Sequence, residues 1–215
     1  CLPEHKEFYA TKGFIQFEEI ISTAKANELA KASDDIISKR EKARKFEKSQ
    51  STPELQKYAL GRNLWMDHPS FKSLAYSKKV HGLVTELHNV KSLRLAFDQL
   101  LVGSNSSNPL KANLIESFCV DPILCALIIC IKPSDEKQNE DSPWPNSLAT
   151  GLIVNPEMEL PSPPVNGLFL ILLFCQDAAQ YYYNEGDFNT QFLKHLGLTF
   201  GNTLKGEMFP KISKI

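Results

Sequence analysis

The chain lacks most of the features that announce a chemistry. Its 215 residues hold five histidines, at 5, 68, 81, 88 and 195, and none of them falls between residues 95 and 190. Its last arginine is Arg94. It has no C-x-x-C pair, no Gly-rich phosphate loop and no nucleophile elbow, which excludes the usual zinc ribbons, nucleotide cradles and α/β-hydrolase triads. Serines are plentiful, but without a histidine in the same region a Ser–His pair has no base. No run of 18 or more apolar residues occurs either. The most apolar stretch, SFCVDPILCALIICIKP (117–133), is broken by Asp121 and Pro122 and ends at Lys132. About ten apolar residues remain, roughly half of what spans a bilayer. The start, CLPEHKEFYATKG, shows no basic segment leading into an apolar one, as a secretory signal would. A soluble cytoplasmic protein with no membrane partner is expected.

Cysteine is scarce and unpaired. The five, Cys1, Cys119, Cys125, Cys130 and Cys175, are odd in number, and all but Cys1 stand among apolar neighbours. They read as buried free thiols acting as small hydrophobes, not as a disulfide framework or a zinc site.

What is present is ordinary in total and uneven in distribution. The apolar share of 42% and charged share of 23% fit a globular chain. The net charge is −1, yet residues 1–94 hold 17 Lys+Arg against 12 Asp+Glu. Residues 95–190 hold 3 Lys against 12 acids, and residues 191–215 hold 4 Lys against 1 Glu. A basic helical face beside an acidic, strand-rich part follows.

Apolar spacing supports that division. Ala26, Leu29, Ala30, Ile36 and Ile37, with small Ser33 between, lie on one face of a helix over roughly 23–47. Ser51-Thr52-Pro53-Glu54 restarts a helix through a capping pattern. HPSFKSLAYSKKVHGLVTELHN (68–89) gives further helices, with Phe71, Leu74, Val80, Leu83, Val84 and Leu87 inward and Asn89 as a stop. From residue 91 the period changes. KSLRLAFDQLLV alternates Leu93, Leu95 and Phe97 against Arg94, Ala96 and Asp98, a strand pattern. Residues 117–133 and GLFLILLFC (167–175) are continuous apolar runs, as for strands covered on both faces. KPSDEKQNEDSPWPNS (132–147) reads as an exposed loop and NPEMELPSPPVNG (155–167) as another. TQFLKHLGL suggests a short last helix closed by Gly197. Helices followed by buried strands argue for an α+β fold, with a helical layer against a β-sandwich or jelly roll. One domain over 1–215 is expected: 1–90 a helical layer, 91–190 core strands and loops, 191–215 a C-terminal helix and tail.

The segment EFYATKGFIQFEEIISTAKANELAKASDDI (7–36) resembles the opening of phytanoyl-CoA-hydroxylase-type iron(II)/2-oxoglutarate oxygenases. Phe8, Tyr9, Gly13, Phe14 and Ile15 match the aromatic pair, glycine-aromatic pair and aliphatic residue that lead from a short helix through a strand into a long helix. The chain is also similar to a chlamydial protein family of related fold, sometimes labelled divalent-cation-dependent regulators. The resemblance implies a double-stranded β-helix core. It also implies a metal triad of two histidines and a carboxylate, the first pair as H-x-D/E beside an early core strand and the second histidine on a late strand. A late arginine is implied as well, to grip the 2-oxoglutarate carboxylate.

The sequence does not meet those demands. The only H-x-D/E match is His5-Lys6-Glu7, ahead of the family's opening motif. Where the pair belongs, the chain offers Glu116, Cys119 and Asp121. Only Lys111, Lys132 and Lys137 bring positive charge to the strand-rich region. Asp121 is the one carboxylate at the metal strand, although Asp121-Pro122 also reads as a turn. His81 and His88, seven apart on one helix, read as surface or half-buried helix residues; Asp67-His68 reads as a helix cap; His195 reads as a helix-surface residue. Asp177 follows the apolar run 167–175, and Tyr181-Tyr182-Tyr183 comes soon after it, as a pocket wall or as packing. SKREKARKFEK (38–48) reads as a solvated helix face, with nucleic acid as the alternative partner.

The expectation is a degenerate oxygenase relative that binds or regulates. No catalytic, cofactor-binding or metal-binding residue and no cofactor are assigned. The alternatives are an active oxygenase using Asp121 with a distant histidine, and a divalent-cation-responsive DNA-binding regulator.

Overall fold

The computed structural model describes residues 1–43, 53–105, 108–136 and 142–213. The first half runs α1 (Pro3–Lys12), β1 (Phe14–Phe17), α2 (Thr23–Ala43), α3 (Pro53–Leu60), a 3-10 turn (Leu64–Met66), α4 (Pro69–Ala75) and α5 (Lys78–Leu87). The second half runs β2 (Ser92–Val102), α6 (Leu114–Ser117), β3 (Val120–Lys132), β4 (Gly151–Val154), β5 (Leu168–Tyr181), α7 (Phe188–His195) and β6 (Lys211–Ser213). The predicted helices are present. Residues 44–47 of the long one, and the Ser51-Thr52 cap, lie outside the described residues. Gly197 closes α7 in the left-handed conformation (φ 82°), as its position after TQFLKHL suggested.

The six strands form one antiparallel sheet in the order β1-β4-β3-β5-β2-β6. Its two centre strands explain the apolar runs. On β3, Cys125, Leu127, Ile129 and Ile131 face the helical layer, while Ala126, Ile128 and Cys130 face the other way. On β5, Leu170, Leu172 and Phe174 alternate with Phe169, Ile171 and Leu173 in the same manner. Against the first face pack Leu29 and Ile36 of α2, Phe71 and Leu74 of α4, and Val80 and Val84 of α5, all buried. Each such aliphatic side chain contributes about 1.5–3 kcal/mol on burial.

Among the described residues the second face is closed by α6, α7 and loops instead of another sheet. The fold is therefore mixed helix and antiparallel sheet, the coarser part of the jelly-roll expectation. The loop 132–147 corrects its prediction. Pro143, Trp144 and Pro145 are buried, and Trp144 lies 5.0 Å from Phe169 and donates its indole N–H to the Pro161 carbonyl at 2.9 Å. A sheet face of this apolarity needs a cover, and here a loop supplies it.

β2 departs from simple alternation. Its register with β5 shifts between Leu95 and Phe97, a bulge that places Phe97 beside Ala96 on the second face. Asp98 consequently turns to the helical side, where its Oδ2 accepts the Trp65 N–H at 2.9 Å. Strands β4 and β6 were not predicted, and β5 continues past the predicted Cys175 to Tyr181.

Candidate functional site

The carboxylates offered for the metal strand gather at one corner of the sheet. Asn113 caps the short α6, its Oδ1 accepting the Glu116 N–H at 2.9 Å, and Ser117 accepts the Lys111 N–H at 3.0 Å. The chain then turns into β3 at Val120. Opposite it, β5 ends, and the Tyr182 N–H reaches the Cys119 carbonyl at 2.9 Å. Asn184 ties the two sides together. Its Nδ2 donates to the Glu116 carbonyl at 2.8 Å, and its Oδ1 accepts from Lys111 Nζ at 3.2 Å. Between them opens a cleft of about 540 Å³ lined by Lys111, Ile115, Glu116, Phe118, Val120, Asp121, Tyr182, Tyr183, Asn184 and Glu185. Asp121 stands exposed in this cleft and does not enter the core.

Beneath the cleft lies a buried carboxylate that sequence reasoning missed. Asp187 is 2% exposed, caps α7 through the Asn189 N–H at 2.9 Å, and accepts the Cys119 N–H at 2.8 Å. Burial pushes its carboxyl up, against the pull of these donors. Burial and the neighbouring Asp187 push the Cys119 thiol up as well. Tyr181 donates its hydroxyl to the Thr190 carbonyl at 2.7 Å, and Thr190 donates its own to the Asn184 carbonyl at 2.6 Å. This layer is structural, and within it the buried Asn189 Oδ1 has no hydrogen-bond partner among the described residues. The signal for it was available: Asp187 directly precedes the helical stretch that it caps. The tyrosine run divides accordingly, with Tyr181 buried as packing and Tyr182 and Tyr183 exposed as cleft wall.

Asp177 is half-buried and already partnered, by Ser92 Oγ at 2.7 Å, Lys211 Nζ at 2.6 Å and Arg94 Nε at 3.5 Å. The histidines are dispersed. His5 sits on α1, where its Nδ1 accepts the Leu2 N–H at 3.3 Å. His68 caps α4, accepting the Ser70 N–H at 3.1 Å, while Asp67 pairs with Arg40 at 2.7 Å, so Asp67-His68 is the helix cap that it resembled. His81, read as a surface or half-buried helix residue, is 6% exposed and lies edge-on to Phe174 at 6.1 Å. Burial lowers its affinity for a proton. His88 ends α5 edge-on to Tyr9 at 5.2 Å, its pKa pushed down to about 4 by burial. His195 is exposed at the end of α7. None of them lines the cleft.

Iron of the oxygenase type requires two imidazoles and a carboxylate on one point. Among the described residues no group of three His, Cys, Asp or Glu side chains is arranged to hold a metal ion. The donor set at the cleft is carboxylate and amide with no imidazole, and the residues present do not fit the iron. Among the described residues, too, no helix is long and apolar enough to cross a membrane.

No known protein-family profile matches the chain, and no curated protein sequence does. Solved structures do. The non-heme alpha-ketoglutarate-dependent carbocyclase SnoK from nogalamycin biosynthesis superposes with a TM-score of 0.71 at 13% identity, over 99% of this chain and 97% of its own. The epimerase SnoN, solved with Fe3+, alpha-ketoglutarate and nogalamycin RO, gives 0.60 at 13% identity over 97% of each chain. The fold is that of the iron/2-oxoglutarate oxygenases. CT296 from Chlamydia trachomatis is also similar, with a TM-score of 0.51 and 15% identity over 82% of this chain and 96% of its own. The oxygenase fold thus extends well beyond the thirty-residue opening that first suggested it, while the imidazoles of an oxygenase site are not assembled at the cleft.

Proposed function

We propose that this chain is a non-catalytic relative of the iron/2-oxoglutarate oxygenases, working in the cytoplasm as a binding or regulatory protein. In this reading its six-stranded sheet is the larger half of a double-stranded β-helix within one domain, with loops in place of the second sheet. One observation carries the proposal: the strands expected to bear metal ligands present core side chains instead. From Ile123 to Ile131 on β3 every side chain is apolar, and from Leu168 to Cys175 on β5 every one is apolar and buried. Asp121, the one carboxylate on β3, is exposed, and Asp177, the one on β5, is held by Ser92 and Lys211. No arginine stands on β5 to grip a cosubstrate carboxylate.

The alternative with unconventional ligands needs His68, His81, His88 or His195 to converge with Asp121. They stand on α4, α5 and α7, outside the cleft that holds Asp121. Anaerobic calorimetric titration with Fe(II) and 2-oxoglutarate tests the reading. The expected result is no stoichiometric uptake. A one-to-one site of micromolar affinity or better, about 8 kcal/mol of binding, overturns it.

A further inference from the structure

We propose that the groove between α6, the start of β3 and the end of β5 takes the arginine or lysine side chains of a basic peptide segment on a protein partner. The proposal rests on the reading of the chain as a binding protein and names the chemistry of what it binds.

The groove has a built apolar floor and a bare aromatic wall. Phe118 and Val120 form the floor at 3% and 2% exposure, while Ile115, Tyr182 and Tyr183 stand 44%, 45% and 58% exposed above it. Phe200, 56% exposed, lies edge-on to Tyr183 at 5.6 Å and extends this surface. Exposed apolar surface rimmed by polar residues is the form that interaction grooves take, and tyrosine and phenylalanine are enriched at interfaces. The volume of about 540 Å³ suits one or two long side chains, not a folded domain.

Charge selects the occupant. Glu116, Asp121 and Glu185 rim the groove, and none makes an ion pair among the described residues. The one cation in the lining, Lys111, is bonded to Asn184. Three carboxylates against one ammonium leave the rim negative, within a region of 12 acids and 3 Lys from 95 to 190. An arginine or lysine meets both demands at once. Its head pairs with the rim carboxylates and the tyrosine faces, and its methylene stem covers the apolar floor. Acidic and phosphorylated segments are repelled by the same rim, and the surrounding field speeds encounter with a basic segment.

The test is fluorescence anisotropy with a labelled hexa-arginine peptide, at low salt and at about 0.5 M salt. The variants are Glu116→Gln with Asp121→Asn, Tyr182→Ala, and a control, Glu157→Gln with Glu159→Gln, exposed in the same acidic region but outside the groove. All of these positions are at the surface, and an unchanged thermal midpoint shows that the fold is kept. The charge variant should weaken binding about tenfold and Tyr182→Ala about fivefold, with the control unchanged. High salt should weaken what remains. Equal loss in the control overturns the groove in favour of general attraction to the acidic region. Displacement by spermine at an equal concentration of charge overturns the peptide in favour of a free polyamine. Self-association in sedimentation that the charge variant abolishes overturns it in favour of a second copy. Absence of peptide binding beside a blank Fe(II)/2-oxoglutarate titration removes this proposal and leaves the non-catalytic reading standing. An Fe(II) site with peptide binding intact removes only the latter.

Discussion

Asp98→Asn should flatten the dependence of stability on pH. Asp98 is fully buried on β2, with Oδ2 on the Trp65 N–H and Oδ1 without a partner. Burial pushes its carboxyl up to about 7, against the opposing pull of the Trp65 N–H and the Arg40 charge. The unfolded chain has the ordinary value of 3.8. The folded state therefore keeps a proton that the unfolded state has released. The resulting stability is fully present below 3.8 and is lost as pH rises through 7. At about 1.36 kcal/mol per unit, the native protein should lose roughly 2.5 kcal/mol between pH 5 and pH 8 from this group alone. Asparagine retains the acceptor for Trp65 and cannot titrate. It leaves an unpartnered amide N–H where Oδ1 stood, a cost of about 1–3 kcal/mol that does not change with pH. Urea unfolding of both proteins across that pH range separates the two effects, because the fixed cost cancels in the difference between the two curves. Parallel curves for native and variant protein would refute a neutral buried Asp98.

Three further outcomes follow from the same geometry. Ellman titration of native protein should find one fast thiol, Cys1, because Cys119, Cys125, Cys130 and Cys175 are buried and burial raises each of their pKa values; all five should react in denaturant. Trp144→Ala should cost about 3–5 kcal/mol in chemical denaturation, since it uncovers Phe169 and orphans the Pro161 carbonyl, whereas substitution of exposed Asn146 should cost under about 0.5 kcal/mol. His88, pushed down to about 4, supports the fold fully above 6.5 and loses that support as pH falls toward 4. Because it is partly solvated, His88→Gln should remove about 1–2 kcal/mol of the acid-side loss between pH 7 and pH 4, read by thermal melts.

The elements legible in the chain were those whose cause is local. The 3.6-residue spacing of α2, the Asp67-His68 cap and the two-sided apolar runs of β3 and β5 report burial residue by residue. The missed features depend on distant partners. Gly151–Val154 is too short to show a period, and becomes β4 because β1 and β3 flank it in the sheet. The bulge after Leu95 sends Phe97 and Asp98 to the faces opposite those that alternation assigns, and nothing in KSLRLAFDQLLV marks it. Trp144 sits in a charged, proline-rich loop and is buried because an uncovered sheet face lies below it.

The candidate site divides in the same way. Residue order alone settled that no imidazole stands on the apolar strands and no arginine follows residue 94, because ligand chemistry depends on which side chains exist. Only the tertiary structure brought Lys111, Glu116 and Asp121 against Tyr182, Tyr183 and Glu185, because that corner is made where a strand beginning at 120 pairs with one ending at 181. Composition decides what chemistry is possible at such a corner, and the sheet register decides which of those residues meet.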